Sequence, residues 1–145
     1  MTKSITVLLI LLLSVTCKTA DRTAHQRRAS QRVFHLINEF RKEHGLPELR
    51  YLHRRQWEVD IWARHLEKRF EHCETGYACE NIAVNFDSPE QLFEQWKNSP
   101  GHRKNMLLRR IRYCAIGVRE GTYRRTPGAY FGVFRGYETK LKALK

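Results

Sequence analysis

The chain carries no His-Glu-x-x-His stretch and no Cys-x-x-Cys pair, so the two compact spacings most diagnostic of a zinc site are missing. There is also no internal repeat and no low-complexity block, which excludes a solenoid or a linker-like chain. Its longest apolar run, Ile5 to Val15, is too short to span a bilayer. Acidic side chains are scarce, with 15 Asp+Glu against 27 Lys+Arg, a formal net charge of +12. Such an excess favours anionic company, whether nucleic acid, phospholipid headgroups or acidic cell-wall polymer, and says nothing about fold.

What is present suffices for one ordinary domain: 145 residues, 41% of them hydrophobic, with three Trp. Residues 1–20 read as an export signal, in which Lys3 supplies the positive start and Ile5 to Val15 the apolar stretch. Cleavage is expected near Cys17 or Ala20, and a lipid-modified Cys17 is the alternative, against which Thr16 counts. The mature protein is therefore expected outside the cytoplasm, periplasmic or extracellular, with no transmembrane segment. Cys73, Cys79 and Cys114 would remain, an odd number that allows at most one internal disulfide. Closing Cys73–Cys79 across Gly76 is the shorter route, and Cys79–Cys114 is the other.

Taken in order, residues 21–29 form a basic lead-in with Arg22, Arg27 and Arg28, expected before folded structure. The folded domain then occupies 30–138 and a basic tail 139–145. From Ser30, the positions Val33, Phe34, Leu36, Ile37 and Phe40 keep helical spacing, and Gly45 suits the residue just past a helix end. After a turn or short extended link at Leu49 to Leu52, a second helix is expected through Phe70, with Trp57, Ile61, Trp62, Leu66 and Phe70 facing the core. The stretch Phe70 to Ala83 has no sustained period and reads as a structured loop entering the core. Tyr113 to Val118 and Ala129 to Phe134 form a hairpin around a loop with Pro127-Gly128.

Between loop and hairpin, Pro89 to Trp96 makes a helix with Leu92, Phe93 and Trp96 on one face, and Pro100 prevents it from continuing. A second short helix starts there. Ser99 is the expected N-cap and Pro100 the first helical residue, so the positive helix end beside His102 favours a neutral ring, able to accept a hydrogen bond or ligate a metal.

The sequence Trp96-x-x-Ser99-Pro100-Gly101-His102-Arg103-x-Asn105-Met106-Leu107 resembles the signature of the CAP superfamily, which comprises cysteine-rich secretory proteins, antigen five and pathogenesis-related proteins, in its bacterial SCP-domain form. Further landmarks follow the same order: Gly45 to Leu49, Phe70-Glu71-His72, Glu80-Asn81-Ile82-Ala83 and Ile116-Gly117-Val118. The periodicities give an α+β domain; the resemblance implies an α/β/α sandwich with helices on both sides of a small antiparallel sheet. It also implies that His72, Glu80 and His102 line a cavity that in animal and plant members has two His and two Glu and sometimes a divalent metal. The match is partial, because Ser99 stands where the second Glu of those members would fall, and about Arg112 where their second His would.

These residues support more than one chemistry. Two imidazoles and one carboxylate with an open position would suit a catalytic divalent metal such as zinc. Equally, Glu80 could be a buried acceptor for backbone N–H groups and His72, with Glu94 in reserve as a second carboxylate. Ser99 is accounted for as a cap and nothing local marks Cys114 as a thiolate, so nucleophilic catalysis is disfavoured. Arg109, Arg110, Arg112, Arg124 and Arg125 among Tyr113, Tyr123 and Tyr130 could stack bases, but export makes nucleic acid an unfavoured partner. The leading expectation is a secreted binding module whose ligand-binding cleft contains His72, Glu80, Ser99 and His102, taking a lipid, a cell-envelope component or a protein. A metal-assisted hydrolase using His72, Glu80 and His102 is the alternative.

Overall fold

The computed structural model describes the backbone of residues 2–74 and 76–139, and the side chains of 21–74, 76–125 and 127–139. The side chains of residues 1–20, expected to form an export signal with cleavage near Cys17 or Ala20, lie outside the described residues, as does the basic tail beyond Thr139.

Helix α1 runs Thr2–Glu43. The expected irregular lead-in at 21–29 is part of it, for Asp21 to Ala29 contains neither Gly nor Pro to stop a helix. From here Ala29, Val33, Ile37 and Phe40 form a buried stripe at three- and four-residue spacing. The helix ends in a Schellman motif: Gly45 takes φ 64°, its N–H bonds to the Lys42 carbonyl at 3.0 Å, and Leu46 N–H bonds to the Arg41 carbonyl at 2.9 Å. Arg41 itself is fully buried, its Nη1 donating to the Met106 carbonyl at 2.7 Å and its Nε to that of Pro47 at 3.0 Å. One side chain thus ties the end of α1 to the region after the central helix pair.

A two-residue strand β1 (Arg50–Tyr51), a 3-10 turn at His53–Arg55 and α2 (Gln56–His65) come next. Helix α2 stops short of Phe70, and its buried face is only partly the expected one. Leu66 is buried and Trp62 half-buried as expected, but Val59 and Ala63 take the inward positions, whereas Trp57 and Ile61 are 57% and 53% exposed and Phe70 is 45% exposed. The reason lies across the interface at Gly117. A Cβ there would stand 2.6 Å from the Val59 carbonyl oxygen, so helix backbone rests directly on sheet backbone and only small side chains fit between.

The second half of the expected loop at 70–83 is strand β2 (Cys79–Val84). Its residues are buried on both faces, which hides the two-residue alternation that would have marked a strand. Helix α3 (Pro89–Asn98) buries Leu92, Phe93 and Trp96 as its spacing requires, with Ser88 Oγ accepting from Gln91 N–H at 3.2 Å. Helix α4 is Pro100–Met106. Strands β3 (Tyr113–Tyr123) and β4 (Thr126–Tyr137) are longer than expected and meet at Arg124-Arg125, both at positive φ, in a two-residue hairpin turn.

The strands lie in the order β1-β3-β4-β2. Pairing is antiparallel for β3 with β4 and for β2 with β4; the short β1 is parallel to β3, which the expectation of a wholly antiparallel sheet had missed. One core packs α1, α3 and α4 against Cys79, Ala83, Cys114, Ile116, Val118 and Phe134. The other packs α2 against Ile82, Ala115, Phe131, Val133 and Tyr137. Helices on both faces of one sheet make the α/β/α sandwich.

The Gly117 contact yields a stability prediction. Gly117→Ala pushes a methyl into backbone that cannot rotate away and should cost about 2 kcal/mol or more in urea unfolding, while Gly101→Ala, with nothing within 4 Å, should change stability by less than about 1 kcal/mol.

Candidate functional site

His72, Glu80 and the backbone of His102 come together at the β2 edge of the sheet. Glu80 lies on β2 directly opposite Arg135 on β4, and both side chains are buried against the α2 face. A buried carboxylate and guanidinium are tolerated when they neutralise one another and fill their hydrogen-bonding capacity. Here Arg135 Nε donates to Glu80 Oε2 at 2.7 Å. The other oxygen, Oε1, takes the Cys73 N–H at 3.1 Å and lies 2.9 Å from His72 Nδ1. The guanidinium is also held between two rings, 5.3 Å from the Trp62 centroid and 5.0 Å from that of Tyr77.

Helix α4 reaches the same edge from the opposite face. Asn81 Nδ2 donates to the His102 carbonyl at 3.0 Å, and Asn105 Nδ2 donates to Asn81 Oδ1 at 2.9 Å and to the Glu80 carbonyl at 3.0 Å. These bonds cover the edge of β2 with side chains and fix where α4 begins. The His102 ring is half-buried, and its pKa is lowered first by burial and then by a charge on nearby His72. Its neutrality therefore follows from desolvation more than from the dipole of a seven-residue helix. His72 is the open member of the group, with 58% of its side chain exposed against 1% for Glu80.

Folding thus joins His72 directly to Glu80 and brings His102 beside them. Ser99 sits at the head of α4, its carbonyl accepting from Arg103 N–H at 2.8 Å, but its hydroxyl makes no capping bond. Glu94 stays on the outer side of α3, where it pairs with Lys97 at 3.4 Å. Arg112 spends its Nη1 on the Arg109 carbonyl at 2.6 Å. Two open clefts of about 300 and 360 Å³ lie between α1 and α2, sharing Arg27, Ser30 and Gln56 in their walls, and neither touches His72, Glu80 or His102.

Arg135 and the pair Asn81 and Asn105 are the participants that the sequence reading missed. A signal for Arg135 existed: it is the lone charge in the apolar strand Tyr130 to Tyr137, and a buried charge demands a partner of opposite sign. Its presence bears on a metal. With Oε2 committed to a guanidinium and Oε1 to His72 and Cys73, Glu80 does not fit a ligand role, since a cation placed there would face the buried positive charge of Arg135. Among the described residues no three His, Cys, Asp or Glu side chains converge as a metal set.

The expected disulfide is not formed: among the described residues none joins Cys73, Cys79 and Cys114. Cys79 and Cys114 both stand opposite Gly136, on strands that flank β4, so about two strand spacings, roughly 10 Å, separate their backbones, beyond the reach of a disulfide. Cys73 contacts Glu80 on one face of β2, whereas Cys79 packs on the other, its Sγ 3.7 Å from the Asn105 carbonyl. Burial pushes the Cys79 thiol up to about 11 and raises Cys114 further, so neither is a thiolate at neutral pH. The Arg and Tyr groups expected to form a base-stacking surface are also divided. Tyr113 and Tyr123 lie at opposite ends of the eleven-residue β3, roughly 30 Å apart, and Arg110 is paired with Glu138 at 2.6 Å.

Two measurements follow from this geometry. Glu80→Gln leaves Arg135 charged and buried, and should lower unfolding stability by about 3 kcal/mol, a loss partly recovered by adding Arg135→Met. Because His102 binds its proton less readily when folded, its contribution to stability is complete above about pH 6.5 and declines as pH falls below that value. Melting curves from pH 7 to pH 5 should show a decline that His102→Gln reduces.

The sequence model for the cysteine-rich secretory protein family, CAP, matches residues 34–134. No curated protein matches the chain. Among solved structures, the fold is similar to an extracellular protein containing an SCP domain from Bacillus anthracis, with TM-score 0.61 at 17% identity over 79% of this chain and 42% of that one. It is similar to a cysteine-rich secretory protein from Staphylococcus aureus, with TM-score 0.51 at 20% identity over 76% and 38%. An outer surface protein from Borrelia burgdorferi aligns with TM-score 0.55 at 13% identity over 77% and 94%. The chain thus spans less than half the length of the first two. With the family match covering everything from the buried face of α1 to the middle of β4, the chain belongs to the CAP family of cysteine-rich secretory proteins.

Proposed function

We propose that the protein works outside the cytoplasm as a CAP-domain binding module, taking a lipid, a cell-envelope component or a protein partner at the cleft of His72, Glu80, Ser99 and His102. The observation that carries this reading is the burial of Glu80. Three donors hold its two oxygens and its side chain is 1% exposed, so the carboxylate serves as the anchor of the site and is not presented to a substrate. What the cleft offers a ligand is the exposed ring of His72 and the half-buried ring of His102, whose nitrogens can donate and accept hydrogen bonds. The extracytoplasmic setting rests on the export-like residues 1–20 and on structural neighbours described as extracellular or as an outer surface protein.

The alternative is a divalent-metal-assisted hydrolase, for which the proximity of two imidazoles to one carboxylate speaks and the guanidinium of Arg135 counts against. Elemental analysis of the purified protein separates the two. Binding without catalysis predicts far less than one zinc per chain and no zinc-dependent rise in melting temperature; one zinc per chain, lost in His72→Ala, would favour the hydrolase. On the binding reading, His72→Ala together with His102→Ala should weaken retention of extracted envelope lipid or polymer about tenfold while leaving the far-ultraviolet circular dichroism unchanged.

A further inference from the structure

We propose that the outer face of α2 docks the protein on a bilayer surface rich in anionic phospholipid. This rests on the extracytoplasmic setting proposed above and is independent of the His72 cleft. Helix α2 turns Val59, Ala63 and Leu66 toward the sheet, and at about 100° per residue Trp57 and Ile61 fall within about 40° of each other on the side away from it. All three exposed large hydrophobic residues among the described ones, Trp57, Ile61 and Phe70, belong to this helix or the segment just after it. Apolar residues scattered singly on a surface need no explanation; a cluster rimmed by polar groups does.

The rim is cationic. Arg54, Arg64, Lys68 and Arg69 are exposed around the apolar residues. The acids of the same helix are engaged locally, Glu58 by Arg55 and Asp60 by Gln56 Nε2 at 2.8 Å. An anionic leaflet satisfies both halves of the patch, since headgroups meet the Arg and Lys side chains while the indole and the Ile61 side chain enter the interfacial layer. Other occupants satisfy one half only. A second copy would bring like charges together, and a soluble polyanion would leave Trp57 and Ile61 in water. The patch is also a convex helix crest, a shape suited to a plane and not to enclosing a small molecule.

The test uses phosphatidylcholine vesicles with and without phosphatidylglycerol, read by co-sedimentation and tryptophan emission. Trp57 is the exposed tryptophan, with Trp62 half-buried and Trp96 fully buried, so its emission should shift blue on binding and be quenched by brominated acyl chains. Binding should require phosphatidylglycerol. It should fall about tenfold or more in Trp57→Ser with Ile61→Ser, and about fivefold or more in Arg64→Gln with Lys68→Gln or on raising salt to about 0.5 M. Both double variants alter exposed side chains, and circular dichroism verifies that they fold. Trp57→Ser with Ile61→Ser should still retain soluble envelope polymer as the unaltered protein does, which separates failure of this proposal from failure of the cleft reading. Equal binding by Trp57→Ser with Ile61→Ser, equal binding to both vesicle types, or loss only of self-association in the ultracentrifuge would overturn it.

Discussion

Glu80 and Arg135 face each other across two neighbouring strands, and the rest of the site follows from the need to neutralise that pair in a dry interior. Neither charge is affordable alone. Arg135 is covered by Trp62 from α2 and Tyr77 from the loop, while Glu80 draws in the backbone of Cys73 and the ring of His72. One ion pair therefore determines how a helix, a loop and an edge strand approach each other. The ring of His72 is placed by it, while the backbone of His102 is held by Asn81.

A second buried arginine performs the matching task on the opposite face by different means. Arg41 has no carboxylate beside it and is held by the carbonyls of Pro47, Met106 and Leu108, so burial lowers its pKa. It joins the end of α1 to the segment after α4, and Asn105, near the end of α4, reaches the edge of β2. The two sides of the sheet are thus connected at β2 by polar contacts, in a molecule whose remaining layers are packed apolar side chains. A loop imidazole and a helix imidazole from opposite faces can meet there because the edge strand is the one place where both faces are reachable.

Much of this was legible in the sequence. The helix stop and restart at Ser99-Pro100, the Leu92, Phe93 and Trp96 face and the Gly45 helix end are local features, dictated by backbone chemistry and short spacing, and they stand where expected. What was not legible depended on partners distant in the chain. Trp57 and Ile61 looked like core, but at Gly117 the helix backbone rests on the sheet, and there the smaller Val59 and Ala63 face inward. Strand β2 was hidden by burial on both faces, and the lead-in looked unstructured because its charge was read as disorder where helix propensity was adequate. Within the site, His72, Glu80 and His102 were found by resemblance, but Arg135 required knowing which strand would lie opposite Glu80. The thiols were misjudged for a similar reason, since closeness along the chain at Cys73 and Cys79 gave no indication that they pack on different faces.

Strand β4 occupies an interior position in the sheet, between β3 and β2, yet it is the last strand of the described chain. Strand β2 therefore waits for a partner made more than forty residues later, and Glu80 near its start has no Arg135 to pair with until that partner arrives. The order of synthesis and the order of assembly are opposed. A polypeptide of this kind cannot commit to its native topology while emerging from the ribosome, and it stays loosely collapsed until β4 is available. On the extracytoplasmic reading proposed above, that delay suits passage through a membrane pore, because the late strand acts as an intrinsic brake on premature compaction.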